Sequence, residues 1–314
     1  MSASPAIPAL DGSIGAIQIG AVVGTFLFGI ETLQAYMYFR DHPHDIHWLK
    51  AIVAIVWISE LGHAISAWHA IYSVTVTFYC QLEHLADPPH SLEMTLLFYA
   101  IIFTLVQGFF AHRVRVVSGK WLIPIICWTL TFVRVIADLA IMGIEWRSPT
   151  LSVLQLRYKW LLTASLACGM TVDFVVAVAM CYWLQKIRGS AFKQTRRIAD
   201  SLFVSAVETG VITSVASALE LILFLVRNDY AWFPFYLVQG KLYSNSLLVS
   251  LNGRQRLREP LTRVNLSTSR TGSLGPPGQS HNSRGVVIEM SRVIDTSDAP
   301  FSKSIEGGQG LNIQ

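Results

Sequence analysis

An all-α, polytopic bundle of seven membrane-crossing helices is the fold class this sequence predicts, and three observations predict it. Of 314 residues, 52% are hydrophobic and only 14% charged, against about a quarter charged in soluble domains, which leaves too little polar surface for a water-facing shell. The apolar residues gather into seven runs, each near the ~20 residues a helix needs to cross a ~30 Å hydrocarbon core. Lys and Arg crowd into alternate connections between the runs, the asymmetry that orients a chain in a bilayer.

The runs cover residues 14–39, 51–72, 92–111, 121–144, 160–184, 202–226 and 232–251. In the first, Gly20 and Gly24 stand at GxxxG spacing, a face that admits a second helix closely, and Glu31 lies on the same face. The second holds Glu60 and His63 at i, i+3, half of the inward Glu-x-x-His pair of a bundle metal site. His69 falls on the opposite face, so no metal is expected. This run either extends through "SVTVTFY" to residue 79 or gives way there to an ordered loop. The fourth carries Arg134 and Asp138 at i, i+4, a pair that can satisfy itself on one helix face. The fifth carries Asp173, and the sixth Glu208 and Glu220. In the seventh, Lys241, Asn245 and Asn252 differ by four and eleven residues and share one narrow face, with Gly240 beside the lysine for close packing.

A rise of 1.5 Å per residue brings Glu60, Arg134, Asp173 and Lys241 all to about 15 Å depth. A charge there costs roughly 2.5–3.5 kcal/mol on insertion scales, so such groups pair or serve a function. With Arg134 turned to Asp138, Lys241 looks to Asp173 or Glu60. Two roles stay open for this polar cluster: an ion-pair network that orders the helices, or a ligand, proton or ion site.

Orientation follows the positive charges. Arg40, Lys50, Arg113, Arg115, Lys120, Lys186, Arg188, Lys193, Arg196, Arg197, Arg254, Arg256, Arg258 and Arg263 fall on one side, against Arg147, Arg157, Lys159 and Arg227 on the other, which predicts an outside amino terminus and a cytoplasmic carboxyl terminus. The sequon at Asn265 would then be cytoplasmic and unused. Residues 1–13 form a short outer segment without the basic stretch of a secretory signal, 14–251 the membrane domain, and 252–314 a Ser/Thr/Gly/Pro-rich tail expected to be disordered. Ser267, Ser273 and Ser291 in that tail are candidates for phosphorylation. Trp48, Trp121, Trp146, Trp160 and Trp232 stand near run ends, as interfacial anchors do.

Several functional classes are disfavoured. The net charge of +4 resides in short connections, so no nucleic-acid partner is expected. Cys127, Cys168 and Cys181 sit in apolar runs and Cys80 near a loop, without disulfide or zinc spacing. No hydrolase or phosphate motif appears, so neither an enzyme nor a cofactor is expected. A retinal Schiff base on Lys241 would want an acid four residues earlier, where Leu237 stands. Rhodopsin-like receptors carry Asp/Glu-Arg-Tyr and Asn-Pro-x-x-Tyr motifs, where this chain has "FAHRVRV" and "NSLLVSLN".

Three stretches go together: "GTFLFGIETLQAYMYF" (24–39), "DSLFVSAVETGVITS" (200–214) and "GKLYSNSLLVSLNGR" (240–254). In these the chain resembles a large family of uncharacterised basidiomycete fungal membrane proteins, grouped by a domain of unknown function over their later spans. The resemblance implies fold, topology and a fungal source, with no activity to carry across. Matching positions include Glu31, Glu208, Thr209, Lys241, Tyr243, Ser244, Asn245 and Asn252. Topology, tail and polar cluster together predict a receptor-like or sensory protein of the plasma membrane. Its partners are the lipid bilayer, an unspecified small ligand or ion and an unspecified cytoplasmic signalling protein. The alternatives are a small transporter or ion pathway, and a scaffold without a ligand.

Overall fold

In lipid every backbone polar group needs an internal partner, which leaves helices as the stable form for runs of Leu, Ile, Val and Ala. A computed structural model of the protein describes residues 14–78, 89–147, 157–190, 193–227 and 230–253. They all lie in the first of two compact units, Met1–Ser267. Seven α-helices follow one another: α1 Ile14–Asp41, α2 His47–Tyr72, α3 His90–Ser118, α4 Leu122–Arg147, α5 Lys159–Ser190, α6 Lys193–Val226 and α7 Phe233–Asn252. Each contains one of the seven apolar runs, give or take an end residue. The predicted tail begins one residue early, since Asn252 ends α7, and the rest of it beyond Gly253, the sequon, Cys80 and the amino-terminal segment lie outside the described residues.

Local chemistry explains the ends. The β-branched stretch after α2 is a π-helical turn, Ser73–Thr77, and so prolongs the helix. Ser73 Oγ and Thr75 Oγ1 there donate to the carbonyls of His69 and Ile71 at 2.8 and 2.7 Å, returning each hydroxyl to the preceding turn. Helix α3 stops at Gly119, whose φ of +67° is the left-handed cap that glycine adopts without strain. Pro234 opens α7 in its first turn, where a missing N–H leaves no bond unmade.

Polarity is inverted relative to a soluble protein. Glu31, Glu60, His63, Arg134, Asp138, Asp173, Glu220 and Lys241 are buried, while Ile19, Phe26, Ile58, Phe132, Phe174 and Ile212 point outward. Six helices, α1 to α6, are long and apolar enough to cross a membrane, so the chain is a multi-pass membrane protein by length and composition. Helix α7 is not among them. Its Gln239, Lys241, Ser244, Asn245 and Ser246 dilute the apolar run, and 13 of its 20 residues are buried, against 6 of 28 in α1. A helix enclosed by protein needs no lipid-facing stripe.

Each helix packs on its neighbours in the chain, and α7 closes the circuit onto α1 and α6 while also touching α3 and α2. The α1–α7 seam is the close one. A Cβ on Gly20 would stand 2.6 Å from the Pro234 Cα, and one on Gly24 would meet the Leu237 carbonyl and the Lys241 stem at 3.6 and 3.7 Å. The GxxxG face therefore serves α7. Asn245 Nδ2 donates to the Leu27 carbonyl at 3.1 Å, and Asn252 Nδ2 to that of Gln34 at 2.9 Å. Both pairs advance by seven residues, so the two helices run parallel. Trp232, expected as an interfacial anchor, is buried instead, because Phe224 and Phe233 close over it at ring separations of 5.4 and 5.3 Å.

Gly20→Ala is expected to destabilise the purified protein by about 1–3 kcal/mol through overpacking against backbone. Gly29→Ala, with nothing within 4 Å of the added carbon, should leave the melting temperature unchanged. Equal melting of the two variants would contradict the seam.

Candidate functional site

The residues predicted to share one depth separate into three groups, two of them on opposite faces of α7. On one face Lys241 passes its stem across Gly24 and presents Nζ to Glu60 Oε2 at 2.7 Å and to His63 Nδ1 at 2.5 Å. An ammonium has only donors, so His63 Nδ1 is the acceptor and the ring proton sits on Nε2. The lysine thus occupies the place that the Glu-x-x-His spacing offered to a metal. Ser244 Oγ donates to Glu60 Oε1 at 2.9 Å, and Gly240 leaves only 3.1 Å between a would-be Cβ and that oxygen. Asn245, one turn from Lys241, spends its amide on the carbonyls of Leu27 and of Lys241 itself. Glu31 is 0% exposed, and neither carboxyl oxygen has a hydrogen-bond partner among the described residues. No group of three or more His, Cys, Asp or Glu among the described residues could hold a metal ion.

The other face carries Gln239 and Tyr243, an i, i+4 pair that sequence spacing did not single out as a site. Asp173 of α5, one of the two acids expected for Lys241, is held here. Its Oδ1 accepts from Gln107 Nε2 at 2.5 Å, and its Oδ2 accepts from Ser217 Oγ at 2.5 Å and Tyr243 OH at 2.6 Å. Gln239 Nε2 donates to Ser217 Oγ and to Tyr243 OH, closing a ring of bonds between α5, α6 and α7. Three strong donors suit one buried carboxylate without a cation.

Arg134 and Asp138 pair as expected, with Nε 3.6 Å from Oδ2. The guanidinium also donates from Nη2 to Tyr99 OH at 3.0 Å and lies 4.1 Å above the Phe103 ring. Ser165 Oγ donates to Asp138 Oδ1. Gly169 makes the room: any Cβ there would fall on the guanidinium. Beyond this pair a cleft opens between α3, α4, α5 and α7, with about 660 Å³ of empty space when the open solvent at its mouth is included and only about 50 Å³ open to the centre of a water-sized sphere. Its walls are mainly apolar (Leu92, Leu96, Ile141, Leu162), and Trp232, Tyr236 and Glu145 line it as well.

Of the residues singled out in the sequence, Glu60 and Lys241 meet, Arg134 and Asp138 meet, and Asp173 joins neither pair. Asn245 and Asn252 clamp α1, and Gly20, Gly24 and Gly240 are packing positions. The Glu208 side chain lies outside the described residues. Tyr99, Gln107, Gly169, Ser217 and Gln239 were missed. The available signal was one polar or minimal residue inside an apolar run, as in "FTLVQGFF" and "ACGM".

Lys241→Met is expected to lower stability by about 3–5 kcal/mol, because Glu60 keeps a buried charge without its partner. Adding Glu60→Gln should recover part of that loss, and strict additivity in this double-mutant cycle would refute the pair. Tyr243→Phe, measured by thermal melting, should cost about 1–3 kcal/mol by leaving Asp173 short of one donor.

Residues 169–256, spanning most of α5, all of α6 and all of α7, match a profile described as a family of unknown function (DUF6534). No curated protein matches the chain. No solved structure matches it. Asp173, Ser217, Gln239, Lys241 and Tyr243 all fall inside the matched segment, which is similar to an uncharacterised family.

Proposed function

We propose that the protein is a receptor-like or sensory fungal membrane protein of seven spans, with its amino terminus outside and its carboxyl terminus in the cytoplasm of a plasma-membrane-bounded cell. The parallel run of α1 and α7 supports an odd number of crossings, and the charge asymmetry of the connections supports the orientation. In that orientation the cleft faces outward.

One observation carries the functional reading: the cleft floor is a charged pair built into the polar interior. Arg134 lines the cleft, stacks on Phe103, and Phe103 meets Tyr243 at 5.5 Å between ring centres. Tyr243 in turn holds Asp173. A molecule that displaces Arg134 therefore pushes on the bonds that join α5, α6 and α7, a contiguous physical route for coupling. A transporter is the second reading. It is supported by a second recess beside Asp173 and Tyr243, lined by Gln107, Phe110 and Thr213, with about 390 Å³ of empty space when open solvent is included.

The deciding experiment screens a small-molecule library by thermal melting of the purified protein, then repeats the hits on Leu162→Phe, which fills the cleft. A receptor gains several degrees from a hit in the wild type, loses that gain in the variant, and passes no hit across sealed proteoliposomes. Uptake of a hit into the vesicles would favour the transporter. A screen without hits would favour a scaffold.

A further inference from the structure

The lining of the cleft specifies more than size. Its formal charges are Arg134 at +1 against Asp138 and Glu145 at −1 each, which leaves −1. Arg134, the one cation among the described lining residues, is already committed, to Asp138, to Tyr99 OH and to the Phe103 face. Glu145 has no hydrogen bond or ion pair among the described residues. Arg147 and Arg157 are exposed and Lys159 lies 5.9 Å over the Phe224 ring, so none of the three lines the space. His90 is taken by Glu93 at 3.2 Å and by the Trp146 ring at 4.8 Å.

Two buried polar atoms also have hydrogen-bonding capacity to spare. Asp138 Oδ2, which has only its 3.6 Å ion pair with Arg134 Nε, and Trp232 Nε1 belong to cleft-lining residues only 6% and 8% exposed, and neither makes a hydrogen bond among the described residues. Buried polar atoms without partners mark places where a water or ligand completes the bonding. One is an acceptor and the other a donor.

We propose that the cleft binds an amphiphilic amine, resting on the ligand-binding reading above. Its ammonium pairs with Glu145, and its apolar body lies along Leu92, Leu162 and Trp232. Asp138 Oδ2 and Trp232 Nε1 add hydrogen bonds to a hydroxyl or carbonyl carried on that body. An anion is disfavoured, since it would meet Glu145 without a free cation to oppose it. A neutral molecule of the same shape gains the apolar contacts alone. Aromatic rings around the space, Tyr99 and Tyr236 among them, further suit a cation through their π faces.

The test uses three probes with one body and different heads: 4-phenylbutylamine, 4-phenylbutanol and 4-phenylbutanoate. Binding is measured by equilibrium dialysis to the full chain in lipid nanodiscs, with empty nanodiscs as the blank. The wild type should bind the amine about tenfold or more tightly than the alcohol, as a charge-assisted hydrogen bond requires, and the acid least. Glu145→Gln should erase the amine's advantage while leaving alcohol binding unchanged, and Glu145→Asp should restore part of it. Thermal melting of both variants checks that they fold. Equal binding of all three probes, or a preference that survives Glu145→Gln, overturns the amine assignment and leaves the cleft as a binding site. Preference for the acid overturns it too, by showing that Arg134 is free to pair. Absence of binding by every probe overturns both the assignment and the cleft.

Discussion

The ammonium of Lys241, set between Glu60 and His63, is the constraint on which the rest of the interior depends. A lysine at this depth is tolerable only with a partner at hand, and the partner sits on α2 while Gly24 of α1 clears the way. Three helices are thereby fixed in rotation as well as position. Once α7 is turned to point Lys241 at α2, Gln239 and Tyr243, about half a turn round the helix, must face α5 and α6. The same rotation therefore sets both networks. Replacement of such a pair by apolar residues is often neutral for stability elsewhere, so its contribution here lies in selecting one arrangement of helices.

Much of this was legible in the sequence because helical rise is constant. Counting residues from the run ends placed Glu60, Arg134, Asp173 and Lys241 at one level, and the i, i+4 spacing identified Arg134 with Asp138. The helical wheel put Lys241, Asn245 and Asn252 on one face, and that face meets α1 as a polar stripe turned toward protein should. What counting cannot supply is the azimuth of each helix about the bundle. Asp173 and Glu60 were equivalent by depth, and only packing decides that Glu60 meets the lysine while Asp173 is wrapped by neutral donors.

The missed residues share a physical cause. Gln107, Ser217, Gln239 and Tyr99 carry no charge, so the cost of burying them in an apolar run is small and the signal they leave in the sequence is weak. The weight of Gln107, Ser217 and Tyr99 comes from meeting a carboxylate or guanidinium from another helix, and that of Gln239 from bonding Ser217 and Tyr243, which hold Asp173. Gly169 is a subtler case, since an absent side chain becomes meaningful only when the Arg134 head occupies the gap. Trp232 was misplaced for a related reason. A tryptophan at the end of an apolar run ordinarily marks the headgroup boundary, but here neighbouring aromatic rings enclose it. The cleft depends on that enclosure, as Trp232 forms part of its wall.

The modest apolarity of α7 bears on how the protein is made. Translation delivers α1 first and α7 last, and the bonds between them join residues 218 positions apart. While the ribosome is still on the chain, Glu31, Glu60, Asp138 and Asp173 have already emerged, whereas the lysine that answers Glu60 has not. A helix carrying Lys241, Gln239 and Asn245 has little reason to enter lipid alone. It gains a low-energy berth only when the earlier helices stand ready with their carboxylates and their glycine seam. The last helix thus acts as a clasp, and a chain arrested before it would present an acidic, half-open interior, the kind of surface that membrane quality control removes.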